Sequence, residues 1–333
     1  MNDIKSIISS MTLEEKVGQM FIVRCPRKDA IKMIEEDHVG GVTLYDVDFD
    51  NKTPEEVKAD IRGYQKAAKI PLFIAVDEEG GRVCRVSNHK PFRESAFLYP
   101  QELVAKGGAE EVRKDAVEKA ELLTSLGINV DYAPVCDVSS DPESFIYRRT
   151  YGCSPEETAG YIEEVVKAFS SKNLCSTLKH FPGYGDNMDT HIKTSVDNRS
   201  LETFITSELI PFTAGINAGA DLVMISHNII ECLEPGVPAS LSAEVYKLLR
   251  DTLGFEGIIV TDSLDMDAVT LYCADESSAV KAIVSGNDLL CCTNYKTQIP
   301  AIIKAIKDGI ISEERIDSSL VRLLKKKQAL GLI

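Results

Sequence analysis

The 333-residue sequence contains no apolar run approaching the roughly 20 residues that a membrane-spanning helix needs, so a membrane protein is not expected. It also has no excess of basic residues: 37 Lys and Arg stand against 52 Asp and Glu, a formal charge of −15. Such a surface repels a phosphate backbone and holds no cationic stripe to bind one, which argues against nucleic acid as a partner. The acidity itself suits solubility. Cys-x-x-Cys pairs are missing too. The nine cysteines (25, 84, 136, 153, 175, 232, 273, 291 and 292) are odd in number and lie mostly within apolar, strand-like runs. That usage argues against disulfides or zinc and fits reduced core thiols in a cytoplasmic protein. The first ten residues lack a basic stretch followed by a long apolar core, so no secretion signal is expected. Low-complexity linkers, heptad arrays and internal repeats are absent as well.

What is present is an ordinary globular composition, 44% hydrophobic and 27% charged. Eight short apolar, β-rich runs occupy 17–24, 40–46, 71–77, 128–135, 176–182, 220–227, 257–262 and 287–294. Amphipathic helical stretches separate them, among them 54–69 and 110–126, with apolar residues every three or four positions. Such alternation predicts parallel strands with crossover helices. Eight units in this length predict an α/β fold of the (β/α)8 TIM type, with room for local strand irregularity, rather than an open doubly wound sheet. One domain over 1–333 accommodates it. The tail from Arg315 reads as a closing basic helix whose lysines form a solvated face.

Distinctive polar residues fall where the apolar runs end: Asp77, Lys179 with His180, Ser226 with His227, and Asp262. In a barrel these ends meet on one face, where active sites sit. Asp262 is either the N-cap of a helix opening at Ser263 or a working carboxylate, and the pattern leaves both open. After Lys179-His180, a loop with Gly183 and Gly185 carries Asp189 two residues before His191. A carboxylate that holds an imidazole fixes its tautomer, as a proton-transfer catalyst requires, although an Asp-x-His pair in a loop also serves structure. The Asp77-Glu78-Glu79 run could suggest a metal, but neighbours in an extended segment point opposite ways and no nearby histidine completes a ligand set. No metal is therefore expected. His227 is a pocket candidate or a satisfied rim histidine, while His38 and His89 read as surface residues.

The run Lys179-His180-Phe181-Pro182-Gly183-Tyr184-Gly185-Asp186-Asn187-Met188-Asp189-Thr190-His191 resembles a signature of the bacterial β-N-acetylglucosaminidases of glycoside hydrolase family 3. It departs from the usual pattern at Tyr184, where His is common, and at Asn187, where Thr is common. Val76-Asp-Glu-Glu-Gly-Gly-Arg-Val, Ile146-Tyr-Arg-Arg-Thr-Tyr and Gly257-Ile-Ile-Val-Thr-Asp are similar to further family segments, and the likeness runs from about Thr12 to Gly331. The resemblance implies Asp262 as nucleophile, His191 held by Asp189 as acid/base, and Asp77, Arg149, Lys179 and His180 as sugar contacts. It leaves no room for the second α/β domain of many family β-glucosidases, so the acid must come from the His191 loop. The implied activity is exo-acting, retaining removal of β-linked GlcNAc from cell-wall saccharides or muropeptides, with no cofactor. Two alternatives stay open: phosphate in place of water as acceptor, and a non-catalytic GlcNAc-binding barrel.

Overall fold

In the computed structural model, residues 4–185, 187, 195–274 and 276–333 are described. Each of the eight apolar runs contains a strand: β1 Phe21–Arg24, β2 Gly41–Thr43, β3 Phe73–Val76, β4 Val130–Asp131, β5 Thr177–Phe181, β6 Leu222–Ile225, β7 Ile258–Thr261 and β8 Leu290–Cys291. All their pairings are parallel. Five strands form one sheet in the order β8-β1-β2-β3-β4, and three form a second in the order β7-β6-β5. Isolated bridges join the two at both seams, Val130 and Val135 to Cys175 and Lys179, and Val260 to Leu289. The result is a TIM-barrel-like α/β fold. Its strands are buried on both faces, which is why they read as continuous apolar runs rather than alternating ones.

Every run is longer than the strand it holds, and for two of them the local chemistry is identifiable. Residues 17 and 18 close the helix Leu13–Gly18, because Thr12 and Glu15 form a reciprocal capping box that starts a helix just upstream. In 128–135 the regular strand stops at Asp131; Tyr132 N still reaches the Val76 carbonyl, and a single bridge from Val135 to Lys179 follows Pro134, which has no N–H to donate. The helices begin and end where local chemistry dictates. Thr53 caps Pro54–Ala67 in a box with Glu56, and Gly127, at φ 92°, ends Ala109–Leu126 in the left-handed region.

The closing helix, Glu313–Ala329, locks onto the opposite end of the barrel from the residues after each strand. Lys327 is fully buried there and donates to Gln19 Oε1 at 2.8 Å and the Gly40 carbonyl at 3.0 Å. Both partners are neutral, and burial draws its pKa down to about 7. Nearby, the Asp288 carboxylate is 0% exposed and accepts from Arg250 Nη2 (2.5 Å), Ile259 N (3.0 Å), Ser319 Oγ (2.7 Å) and Arg322 Nη1 (3.2 Å). One carboxylate thus ties β7, the approach to β8 and the closing helix together. Removing it strands the Arg250 guanidinium, whose side chain is 8% exposed. Asp288→Ala should therefore cost about 3–5 kcal/mol of stability, read from urea unfolding; a loss below about 1 kcal/mol would show that the helix docks by apolar contact.

Candidate active site

Beyond β3 the chain reaches Asp77 and then doubles back, Glu78–Gly80 pairing antiparallel with Val83–Cys84. The reversal needs glycine: Gly80 sits at φ 115°, and a Cβ there would lie 2.2 Å from the Leu98 carbonyl oxygen. Glu78 points away from the strand ends and caps the returning segment, accepting from Arg85 N (2.8 Å), Val86 N (2.8 Å), Ser87 N (3.1 Å) and the Ser87 hydroxyl. Asp77 and Glu79, two residues apart, both turn towards Lys179. The Lys179 Nζ lies 2.7 Å from Asp77 Oδ1 and 2.5 Å from Glu79 Oε1.

Arg149 completes the cluster from a short 3-10 turn, Tyr147–Arg149. Its Nε and Nη2 grip Glu79 at 2.9 and 2.7 Å, and Nη2 also stands 3.2 Å from His180 Nε2. A guanidinium only donates, so His180 Nε2 accepts and Nδ1 carries the proton. That proton faces Asp137 Oδ2 at 2.7 Å. Asp137 is fully buried and also accepts from His180 N (3.1 Å) and Tyr184 N (2.7 Å), which fixes the chain just beyond β5. Burial by itself would raise the Glu79 pKa, but the charges of Arg149 and Lys179 overcome it and hold the carboxyl well below the usual range. Burial likewise opposes the Lys179 charge, and Asp77 and Glu79 reverse that, raising its pKa. The Glu79 carboxylate and its two cations, Lys179 and Arg149, therefore stay ionised together at neutral pH.

Asp262 follows β7, its N–H bonded to the Ile225 carbonyl (2.9 Å) and its Oδ1 accepting from Ser263 N (2.7 Å). The following helix starts only at Asp267, so the helix-cap reading of Asp262 does not hold; Ser263–Met266 is a turn. Asp265 instead ties that turn to Thr293 N and Asn294 N. Asp77, Arg149, Lys179, His180 and Asp262 all wall one cavity of about 200 Å³. Tyr45, Tyr132, Arg85, Met224 and Cys291 supply much of the remaining wall. Larger hollows, of about 580, 670 and 600 Å³, lie beside Arg62 and Lys172, beside Arg322 and Lys325, and beside Leu201 and Ile205. None of the three collects the ionised groups at the strand ends, so we place the site in the smaller cavity.

Of the two readings open for His227, the contacts fit the satisfied histidine. His227 is 0% exposed, with Nδ1 2.7 Å from Ser240 Oγ and Nε2 2.8 Å from the Ser263 carbonyl oxygen. It stands behind the cavity wall and braces Ser263 rather than facing a ligand. Asp189 and His191 lie outside the described residues. His89 is half-buried beside Phe49 and Phe92, with Asp50 at 3.7 Å. Among the described residues no group of three or more His, Cys, Asp or Glu is placed to hold a metal ion, and the Lys179 ammonium fills the space between Asp77 and Glu79. Glu79 and Asp137 were not singled out from sequence, though signals existed. Glu79 shares the strand parity of Asp77, and Asp137 follows the fourth apolar run much as Asp77 ends the third.

Fold and cavity together define a TIM-barrel-like α/β domain with an ionised, polar pocket at the C-terminal ends of its strands. The chain belongs to glycosyl hydrolase family 3: the family model described as the Glycosyl hydrolase family 3 N terminal domain matches residues 12–326. A β-N-acetylglucosaminidase/β-glucosidase of Cellulomonas fimi is 30% identical over 99% of this chain and 60% of its own length. The structure of a family 3 β-N-acetylglucosaminidase from a Paenibacillus species superposes with a TM-score of 0.91 at 33% identity, over 97% of this chain and 63% of that one. A β-glucoside phosphorylase, BglX, superposes with a TM-score of 0.88 at 25% identity, over 99% of this chain and 61% of that one. The chain thus spans about three fifths of the length of these relatives.

Glu79 holds two cations, so its neutral isostere tests the cluster. Glu79→Gln should cost about 3–5 kcal/mol at pH 7, because Lys179 keeps only Asp77 and Arg149 loses the carboxylate it grips. Its pKa is lowered on folding, so the stabilisation is complete above the unfolded glutamate value of about 4.3 and is lost as pH falls from there towards the folded value. The gap between parent and variant should therefore narrow below about pH 4.3. Denaturant unfolding at pH 7 and pH 3 measures it, and a gap constant with pH would contradict the ionised cluster.

Proposed function

We propose that this chain is an exo-acting, retaining β-N-acetylglucosaminidase that releases terminal GlcNAc from cell-wall saccharides or muropeptides in the cytoplasm. The observation carrying this reading is that Asp262 shares one small cavity with Asp77, Arg149, Lys179 and His180. Carboxylate acceptors and fixed cationic donors suit the adjacent hydroxyls of a sugar ring, and a pocket of this size suits one terminal residue. The β-N-acetylglucosaminidase names of the Cellulomonas and Paenibacillus relatives support the substrate class. The eight strands, bridged at both seams, support one closed (β/α)8 barrel over 1–333 as the catalytic domain. Among the described residues no helix is long and apolar enough to cross a membrane.

In the reaction so read, Asp262 attacks C1 as the glycosidic C–O bond breaks, and His191, held by Asp189, gives its proton to the departing oxygen. Water then attacks C1, His191 takes its proton, and the Asp262 carboxylate is released with GlcNAc. Asp77, Arg149, Lys179 and His180 hold the ring through both steps. A second reading, phosphate replacing water in the second step, draws on the likeness to BglX; a histidine base does not repel phosphate as a carboxylate would.

Asp262→Asn should keep the fold and lose about 10³-fold or more in kcat, since no other carboxylate replaces the attacking group. Near-parental turnover of nitrophenyl GlcNAc by the folded variant would remove Asp262 from the mechanism. The substrate assignment is tested on the parent protein. The nitrophenyl β-glycoside of GlcNAc should exceed that of glucose in kcat/KM by a factor worth about 1–3 kcal/mol, as a site that bonds the acetamido group leaves polar atoms unpaired around a hydroxyl. Phosphate should not accelerate release. A preference for glucose overturns the substrate, and phosphate-dependent formation of a sugar phosphate moves the assignment to the second reading.

A further inference from the structure

Asp189 and His191 lie in the sequence between Gly185 and Ser195, and one side chain outside that span touches described residues on both sides of it. Arg199 Nη2 donates to the Gly183 carbonyl at 3.1 Å on the outgoing side. On the returning side its Nε lies 3.0 Å from both Asp197 oxygens, and Nη2 is 2.6 Å from Asp197 Oδ2. Its third nitrogen, Nη1, reaches Glu208 Oε1 at 2.5 Å. Asp197 Oδ2 also accepts from Asn187 Nδ2 at 2.6 Å, and the same amide group donates to the Tyr184 carbonyl at 2.8 Å. Asp197 itself is fixed, since Val196–Asp197 pairs in parallel with Ile229–Ile230 just beyond β6.

The glycines of the loop answer to the same group. Gly185 sits at φ 53°, and a Cβ there would lie 2.2 Å from Arg199 Nη1; Gly183 sits at φ 126°, where a Cβ would lie 2.3 Å from Glu208 Oε2. They are small so that Arg199 and Glu208 can close against the backbone, a stricter requirement than flexibility. Glu208 in turn is 3.5 Å from Val138 N, next to the Asp137 that holds His180 and Tyr184. We propose that Arg199 is a positioning residue for proton transfer, fixing where segment 186–194 starts and ends relative to the sugar-binding cluster. The inference rests on the reading of His191 as the acid/base. Only a planar guanidinium supplies donors in three directions at once; a lysine ammonium on a single stem cannot hold Gly183, Asp197 and Glu208 together.

The test compares two GlcNAc glycosides, one with a dinitrophenyl leaving group that needs little protonation and one, a β-linked GlcNAc disaccharide, that needs it fully. Arg199→Lys should lose at least about tenfold more kcat/KM, which reports the bond-breaking step, on the disaccharide than on the dinitrophenyl glycoside, while inhibition by free GlcNAc stays within about twofold. Gly185→Ala, which displaces the guanidinium from the opposite side, should show the same split and serves if the first variant does not fold. Equal losses on both glycosides, or weakened GlcNAc inhibition, would overturn the positioning role. His191→Ala run in parallel separates the two ideas. A leaving-group split there but not in Arg199→Lys sinks this inference only, and no split in either variant takes the acid assignment with it.

Discussion

A lysine ammonium held at 2% exposure organises the polar pocket at the strand ends of this barrel. Taking such a charge out of water costs several kcal/mol, and the barrel recovers it only because two carboxylates arrive within 2.7 Å from another strand end. That requirement places Asp77 and Glu79 together, forces Glu78 to the opposite side, and leaves Glu79 free to grip Arg149. Arg149 then dictates which nitrogen of His180 is protonated, and His180 rests on Asp137. A single unpaired member would leave a buried charge without compensation. The cluster is consequently held in one arrangement before any ligand arrives, as preorganised electrostatic sites are.

The polar order extends further than the cavity. Asp137 connects the cluster to the backbone beyond β5, and Glu208 and Arg199 continue it to both ends of the segment bearing Asp189 and His191. Burial raises the Glu208 carboxyl to about 7, with the Arg199 charge working against that shift. Removing the guanidinium would therefore favour the neutral acid at neutral pH and loosen its hold on the neighbouring groups. The floor of the site and the residues flanking the segment are joined by ion pairs and by the Val138 backbone N–H, from which Glu208 accepts.

Much of this was legible in the chain order of residue types. Eight apolar runs gave eight parallel strands because a strand covered on both faces must be apolar throughout, and Asp77, Lys179, His180 and Asp262 were found by asking which polar residues end such runs. The same rule would have found Asp137. It left His227 open between a pocket residue and a satisfied histidine, and the ring contacts to Ser240 and Ser263 depend on the turn that follows, which the run does not record. It was ambiguous at Asp262, where a cap and a wall carboxylate look alike until the turn Ser263–Met266 is seen.

By itself the sequence determined the strands, the helices with their capping boxes, the family likeness and the identity of most polar residues at the strand ends. These follow from local periodicity and short-range hydrogen bonding, which the order of residues encodes directly. Only the tertiary structure decided that Glu79 grips Lys179 and Arg149 together, that His180 rests on Asp137, and that Arg199 meets both Gly183 and Asp197. Those outcomes turn on which carboxylate meets which cation across separations of up to about a hundred residues. Coulombic partners at such distances are chosen by how the barrel curls and what it buries, a choice that no local pattern records.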